Sequence, residues 1–375
     1  MARSSQPTVG EDCAVGVVVN GATQTAQSSP TVGWEERATQ NYGLDIGFLQ
    51  NRLTVSADYY VSVTRNANVN PQIPLSVSNA GGDPFQRIGR IQNKGFEMLV
   101  GWNDTKGKFT YGITGNLTTI KNTVLDAGAS ASGRPNLFDA GPNGATRTET
   151  GYEVGSFYLY QTNGIFQNTG EITGSAQPGA KPGDVRYVDV NGDGKIDASD
   201  RAHVGRVFPR IQYGVNLTAG YGGFDFAAFF QGVQGNSVYN SVAYWLGRGD
   251  DPVNYLAGLS PWSPTNPSTT TPRLALQGGQ NTIGNSTRYL EDGSYLRLKN
   301  LQIGYTVPKT LVSNVPGVSS LRLYLTSQNL FTATKYSGYD PETIGGLGGS
   351  LLTRGVDEGN YPNSRTFTIG AQLGF

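Results

Sequence analysis

The sequence predicts an all-β protein: an antiparallel transmembrane β-barrel segment of about nine or more strands, joined by long extracellular loops. Three observations carry this reading. Apolar residues recur at every second position over runs of up to about a dozen residues, which is long for a soluble sheet and suits tilted membrane strands. Short and long connections alternate between the runs. The polarity comes from Gly, Ser, Thr, Asn and Gln rather than from charge: 15% of the 375 residues are charged, while Gly numbers 52 and Tyr 20. No apolar run reaches the roughly 18 residues that a transmembrane helix needs.

The elements follow in order. Tyr42, Leu44, Ile46 and Phe48 face one way, with Gly43, Asp45 and Gly47 opposite, before "LQNR" (49–52) turns the chain. Leu53, Val55, Ala57, Tyr59, Val61 and Val63 then alternate with polar residues. Lipid is expected on the even-numbered face of 42–48 and the odd-numbered face of 53–63. The pattern returns at Phe96, Met98, Val100 and Trp102, turns through 104–107, and resumes at Phe109, Tyr111, Ile113, Gly115 and Leu117. A hairpin follows, from Ile211 to Tyr221 and from Phe224 to Phe230, about the turn Gly222-Gly223. Further strands are expected near 295–307 and 320–331, and "RTFTIGAQLGF" (365–375) ends the chain on Phe375.

The short connections are 49–52, 104–107, 222–223 and 308–319; the long ones are 66–88, 121–209, 236–294 and 332–364. Outer-membrane barrels have short periplasmic turns and long extracellular loops. With every long loop outside, nine strands have consistent parity and the C-terminus is periplasmic. An additional strand pair within 121–209 would preserve that parity, and a single strand would break it. A soluble β-sandwich also alternates, but it rarely combines such strands with such uneven loops.

Charge and rare residues narrow the function. Lys and Arg total 28 and Asp and Glu 28, so no nucleic-acid partner is drawn by bulk charge. The single Cys13 excludes an internal disulfide and a multi-Cys metal site. The single His203 reads as a loop residue, and neither a Ser/His/Asp set nor an HExxH motif is found. The expectation is a protein that is not an enzyme.

The sharpest chemical motif is "DVNGDGKIDASD" (189–200). Asp189, Asn191, Asp193, the Lys195 carbonyl, Asp197 and Asp200 occupy positions 1, 3, 5, 7, 9 and 12 of a calcium loop, with Gly194 at the sharp turn. Clustered carboxylates repel one another unless a cation neutralises them, so a structural Ca²⁺ is expected. The alternative is an Asn-Gly/Asp-Gly turn with solvated charges. Asp rather than Glu at position 12 makes a bidentate ligand less assured.

Several segments resemble a known family. "SPTVGWEERATQNYGLDIGFLQNRLTVSADYY", "IGRIQNKGFEMLVGW", "VGSFYLYQTNGIFQ" and the stretch from "GDVRYVDVNGDGKIDASD" to "GFDFAAFFQG" are similar to the barrel of SusC/RagA-type TonB-dependent outer-membrane transporters of Bacteroidetes. "STRYLEDGSYLRLKNLQIGYTVP" and "LRLYLTSQNLFTATKYSGYDPE" are especially specific. The likeness is collinear over residues 29–375, while residues 1–28 remain an unassigned, irregular stretch.

The resemblance implies a 22-stranded barrel in the outer membrane, in contact with its lipid and plugged by an N-terminal domain. It implies energy from TonB-ExbB-ExbD through a TonB box, and a SusD-like surface lipoprotein as lid. The implied cargo is a glycan, oligosaccharide or peptide too large for porins. Phe375 would be the C-terminal signal read by the outer-membrane assembly machinery, on a strand that closes against the first. Nine strands are fewer than 22, so the chain is expected to be the C-terminal portion of such a barrel, truncated and unable to transport alone. Two other readings remain at this stage: a calcium-dependent adhesin or autotransporter-like barrel, and a secreted carbohydrate-binding β protein. Trp245, Tyr255 and Trp262 either stack on sugars or pack their loop.

Overall fold

The computed structural model describes residues 33–69, 86–128, 137–247, 256–275, 279–312, 317–342 and 350–375. Residues 1–28 lie outside them. Nine strands form one sheet: β1 (Glu36–Phe48), β2 (Leu53–Val69), β3 (Gln86–Lys106), β4 (Phe109–Thr119), β5 (Ile211–Tyr221), β6 (Phe224–Gln234), β7 (Tyr295–Thr306), β8 (Ser320–Thr334) and β9 (Thr366–Gly374). Each pairs antiparallel with its neighbours in sequence, from β1 to β9. The segment Lys121–Asp126 also pairs with β3 and continues the register of β4 beyond Ile120.

The nine expected strands are all present, but several run further than their alternation. β1 begins at Glu36 rather than Tyr42, and β3 at Gln86 rather than Phe96. Glu36, Gln40, Gln92 and Lys94 lie on extensions toward the long loops, where neither face meets lipid. No two-residue period is imposed there, and side chains add to the backbone pairing: Arg37 and Thr39 donate to Ser62, and Asn122 donates to Asn93.

Within the band the pattern is strict. Tyr42 and Leu44 are 65% and 60% exposed, and Phe367 and Ile369 65% and 86%, as lipid-facing residues must be in the absence of lipid. Aromatic residues line up in register across strands. Phe109, Tyr221, Phe224 and Tyr305 form one row from β4 to β7, at the short-turn end. Tyr42, Tyr59 and Phe96 form another on β1 to β3, nearer the long loops. Such girdles mark the two membrane interfaces, where an amphipathic ring meets both hydrocarbon and headgroups. The β5–β6 turn has φ 58° at Gly222 and 92° at Gly223, the two positive values that a type I′ hairpin needs. A Cβ at Gly223 would also stand 2.9 Å from the Thr306 carbonyl oxygen.

The inner face is polar. Asp225 on β6 pairs with Arg322 on β8, with Arg322 Nε donating to Oδ1 at 2.9 Å and an Nη to Oδ2 at 2.6 Å. The pair reaches across β7 over Gly304, where any Cβ would collide with both partners. Higher on the wall β7 and β8 bulge, with register shifts between Leu298 and Asn300 and with Asn329 at φ 51°.

The largest buried apolar cluster lies outside the barrel wall. Phe157, Leu159, Tyr239, Tyr244, Tyr289 and Val356 form its centre. The connection 121–209, expected as a long extracellular loop with room for an additional strand pair, supplies much of it through six short strands beyond residue 126. Phe138–Ala140, Thr146–Thr148, Ser156–Tyr160 and Arg201–His203 form a four-stranded sheet, while Thr162–Ile165 pairs with Val185–Tyr187. Ser237–Asn240 sits between Leu290–Asp292 and Val356–Asp357, so three long connections meet in one extracellular body. None of these strands joins the main sheet, so the parity of the nine is kept.

Candidate functional site

The acidic segment 189–200 folds on itself through side chain to backbone hydrogen bonds. Asp189 accepts from the amides of Gly192 and Gly194, at 2.7 and 2.8 Å. Asn191 accepts from Asp193, Asp193 from Lys195, and Asp197 from Ser199. Asp200 is fully buried, and its two oxygens accept from Val190 and Asp197, each at 2.8 Å. Gly194 stands at φ 80°, the left-handed turn its position asks for. The carboxylates thus have amide donors, which offset part of their mutual repulsion without a cation. Among the described residues, no three His, Cys, Asp or Glu side chains converge on a metal position. Asp200 in particular is turned to the backbone, not to the centre of the loop.

The loop leads directly into the strand Arg201–His203. Arg201 and Arg147 flank the Tyr158 ring, with guanidinium carbons 4.7 and 3.8 Å from its centroid, and both arginines pair with Asp139. His203 is a strand residue and not a loop residue. Its Nδ1 lies 2.8 Å from Ser156 Oγ, its Nε2 3.0 Å from Glu149 Oε1, and its ring stacks on Tyr152 with centroids 3.6 Å apart. A serine, a histidine and a carboxylate therefore stand in line, which the sequence alone did not reveal. Ser156 is nevertheless buried, and its hydroxyl lies 2.8 Å from the Arg147 carbonyl, to which it can donate. An occluded hydroxyl that is hydrogen-bonded to a backbone carbonyl is poorly placed to attack a substrate.

A second cluster carries no sequence motif. Arg297 on the inner face of β7 is buried and donates to Asp340 at 2.5 Å, to Glu342 at 2.7 Å and to Thr332 at 2.8 Å. Lys299 adds a bond of 2.6 Å to Glu342, and Asn363 donates to Asp340. These groups tie the segment after β8 to the bulged wall. The only hint in the sequence is a pair of cations, Arg297 and Lys299, on a strand otherwise free of charge. Of the aromatic candidates, Trp262 packs on Gly183 and donates to Gln167 at 3.0 Å, so it holds its loop. Trp245 is half exposed on the helix Ser241–Gly247, and Tyr255 lies outside the described residues. Phe375 is 90% exposed at the short-turn end of β9.

With this geometry in hand, similarity to known proteins becomes informative. TonB-dependent receptor P3 of Formosa agariphila is 34% identical over 369 residues, 95% of this chain and 36% of the relative. TonB-dependent receptor SusC of Bacteroides thetaiotaomicron is 28% identical over 349 residues, 91% of this chain and 32% of the relative. The solved RagAB peptide transporter superposes with a TM-score of 0.74 over 99% of this chain and 38% of the other, at 24% identity. Over nearly its whole length the chain is similar to part of these TonB-dependent receptors, SusC among them. No family model matches it.

The SusC/RagA-type segment spans little more than a third of the length of these relatives. Receptors of this type are outer-membrane β-barrels, and the outer membrane is its location. The relatives are named as receptors and transporters, not enzymes.

Two groups of the four-stranded extracellular sheet, His203 and Asp139, are expected to couple its stability to pH. Burial lowers the pKa of His203; Glu149 opposes this through a hydrogen bond and its charge, and the Arg147 charge adds to the lowering. Burial works against the Asp139 carboxylate, but hydrogen bonds and charge from Arg147 and Arg201 hold its pKa below the usual range. In both cases the unfolded segment takes up a proton that the folded sheet refuses, so stability rises with pH. The His203 contribution is complete above about pH 6.5 and declines as pH falls through that value; the Asp139 contribution declines below about pH 4. Protease resistance of residues 137–206 in urea is therefore expected to fall between pH 7.5 and 5.5, and again below 4. His203→Gln is expected to remove the first step only. A gain of resistance on acidification would contradict the assignment.

Proposed function

We propose that the chain forms part of the barrel and extracellular face of an outer-membrane transporter that takes up nutrients too large for porins, either glycans and oligosaccharides or peptides. The observation that carries this reading is architectural. Three long connections do not hang as separate loops but share one buried core, built around Phe157, Tyr239 and Val356, above a polar inner wall. A folded body at the mouth can hold a large ligand and a protein partner in fixed positions. In this reading a SusD-like surface lipoprotein rests on that body, and TonB-ExbB-ExbD supplies energy through a plug and TonB box. The near full-length similarity to transporter barrels favours uptake over the adhesin and the secreted carbohydrate-binding readings.

Deleting the gene for the whole protein is expected to abolish growth on one class of oligomer while sparing growth on its monomer, and loss of TonB is expected to give the same phenotype. Normal growth of the deletion strain on a broad panel of glycans and peptides would refute the proposal.

We propose also that Phe375 is the assembly signal. It ends a strand whose lipid face carries Phe367, Ile369 and Leu373, all exposed. Phe375→Ala in the whole protein is expected to lower the heat-modifiable barrel band in outer membranes several-fold, with synthesis unchanged. An undiminished band would leave the residue without that role.

The calcium reading is retained as a proposal in a narrower form. Ca²⁺ would be taken by Asp189, Asn191, Asp193, the Lys195 carbonyl and Asp197, and Asp200 would join only by giving up the amides of Val190 and Asp197. Asp193→Ala and Gly194→Val are each expected to abolish calcium-dependent protection of 189–200 from protease. Protection that does not depend on calcium at all leaves the amide-bonded turn as the whole account.

A further inference from the structure

On the inner wall, at the extracellular end of β5 to β7, lies a cavity of about 330 Å³, at the lower end of the roughly 300–1,000 Å³ typical of ligand sites. Gln212, Gln231 and Tyr295 line its wall side, and Glu342 and Arg354 come from the segments above. The register places Gln212 opposite Val233, and Val233 opposite Tyr295, all on the inner face.

Arg354 is delivered by a fixed backbone. It follows the 3₁₀ turn Leu351–Thr353, whose Leu352 carbonyl accepts from Thr146 Oγ1 at 2.7 Å. The next carbonyl, of Gly355, accepts from the Tyr239 amide at 2.8 Å, and Val356 is fully buried. The guanidinium lies 4.9 Å from the centroid of the Phe208 ring. Among the described residues, no carboxylate pairs with it. The other charge in the cavity is already answered: Glu342 is bound by both Arg297 and Lys299. Among the described residues, one cation thus faces the cavity without a carboxylate partner, and its fork of N–H groups suits a planar anion.

We infer that this cavity is a subsite for a carboxylated sugar, the uronate residue of an acidic oligosaccharide, with Arg354 holding the carboxylate. The inference rests on the uptake reading and narrows its substrate class. The amides of Gln212 and Gln231 each offer a donor and an acceptor, matching sugar hydroxyls, which also do both. The Tyr295 ring on the wall side supplies an apolar face. A peptide bound by strand addition would need a free sheet edge at the cavity, and β5, β6 and β7 are each paired on both sides.

The test is calorimetric binding to the purified full-length transporter, with trigalacturonate, its fully methyl-esterified form and a tri-glutamate peptide as probes. Trigalacturonate is expected to bind at least about tenfold more tightly than the ester, the scale of one charge-assisted contact. Arg354→Gln is expected to bring the acid down to the level of the ester while leaving the ester unchanged, and Arg354→Lys is expected to retain part of the difference. The variants are checked for an intact heat-modifiable barrel. Equal binding of acid and ester, binding of neither, or a difference that survives Arg354→Gln overturns the subsite. Tri-glutamate bound as tightly as trigalacturonate, with the same dependence on Arg354, overturns the assignment to a sugar. Binding needs no energy from TonB, so a failed uptake experiment and a failed subsite are told apart.

Discussion

Hydrocarbon offers no hydrogen bond, and that constraint shapes the whole sheet. A backbone N–H or C=O left unpaired in lipid costs several kcal/mol, so a membrane strand must be paired along both edges. The strands from β2 to β8 meet this within the chain, each zipped to its neighbours in sequence. The outer edges of β1 and β9 have no partner among the described strands, and a closed barrel must supply one for each. Pairing also frees the side chains for other work. With the backbone satisfied, one face can be wholly apolar and the other wholly polar, and the two-residue period follows.

The inner face shows how the same geometry tolerates charge. Asp225 and Arg322 stand on strands two apart, and they meet only because the strand between presents Gly304. The Arg297 cluster uses a different device. There an extra residue in the ladder re-aims the wall, so that one buried guanidinium can meet Asp340 and Glu342 together. A buried arginine with both carboxylates in place is tolerable; with either removed it leaves uncompensated charge, which is far more costly. The bulge and the segment after β8 are therefore bound to each other, and neither can shift alone.

Legibility in the sequence tracks contact with lipid. Tyr42 to Phe48 and Leu53 to Val63 announce themselves because membrane and lumen impose opposite chemistry on alternate residues. Glu36 to Gln40 and Arg90 to Lys94 belong to the same strands, but they meet polar partners and the body above rather than lipid, as Arg37 does at Ser62 and Ile91 beside Val124, and the period vanishes. Short strands such as Thr146–Thr148 are below the length at which any period can be read, and some of them pair far along the chain, as Tyr239 does with Val356. His203 reads as a loop residue in the sequence for the same reason: its strand has three residues and its place depends on Ser156 and Glu149, some fifty residues away. The acidic loop teaches a different lesson. Spacing identified its residues and its turn glycine, but spacing cannot tell whether a carboxylate faces a cation or an amide.

The extracellular body gives the division of labour in this molecule. Membrane strands bury little of their surface against protein, since lipid covers their outer face and the lumen their inner one. A rigid mouth therefore needs a core of its own, and Phe157, Leu159, Tyr239 and Val356, all fully or almost fully buried, provide it from three segments far apart in the chain. Such contacts fix backbone where function requires it. Gly355 is wedged against the Phe157 ring at φ 81°, a conformation a side chain would resist, and its carbonyl is held by Tyr239. Arg354, one residue earlier, inherits that rigidity while its side chain leaves the core for the cavity. Ordering of this backbone was completed when the body folded, so the protein loses little further freedom when the guanidinium meets a ligand, which is the physical meaning of preorganisation.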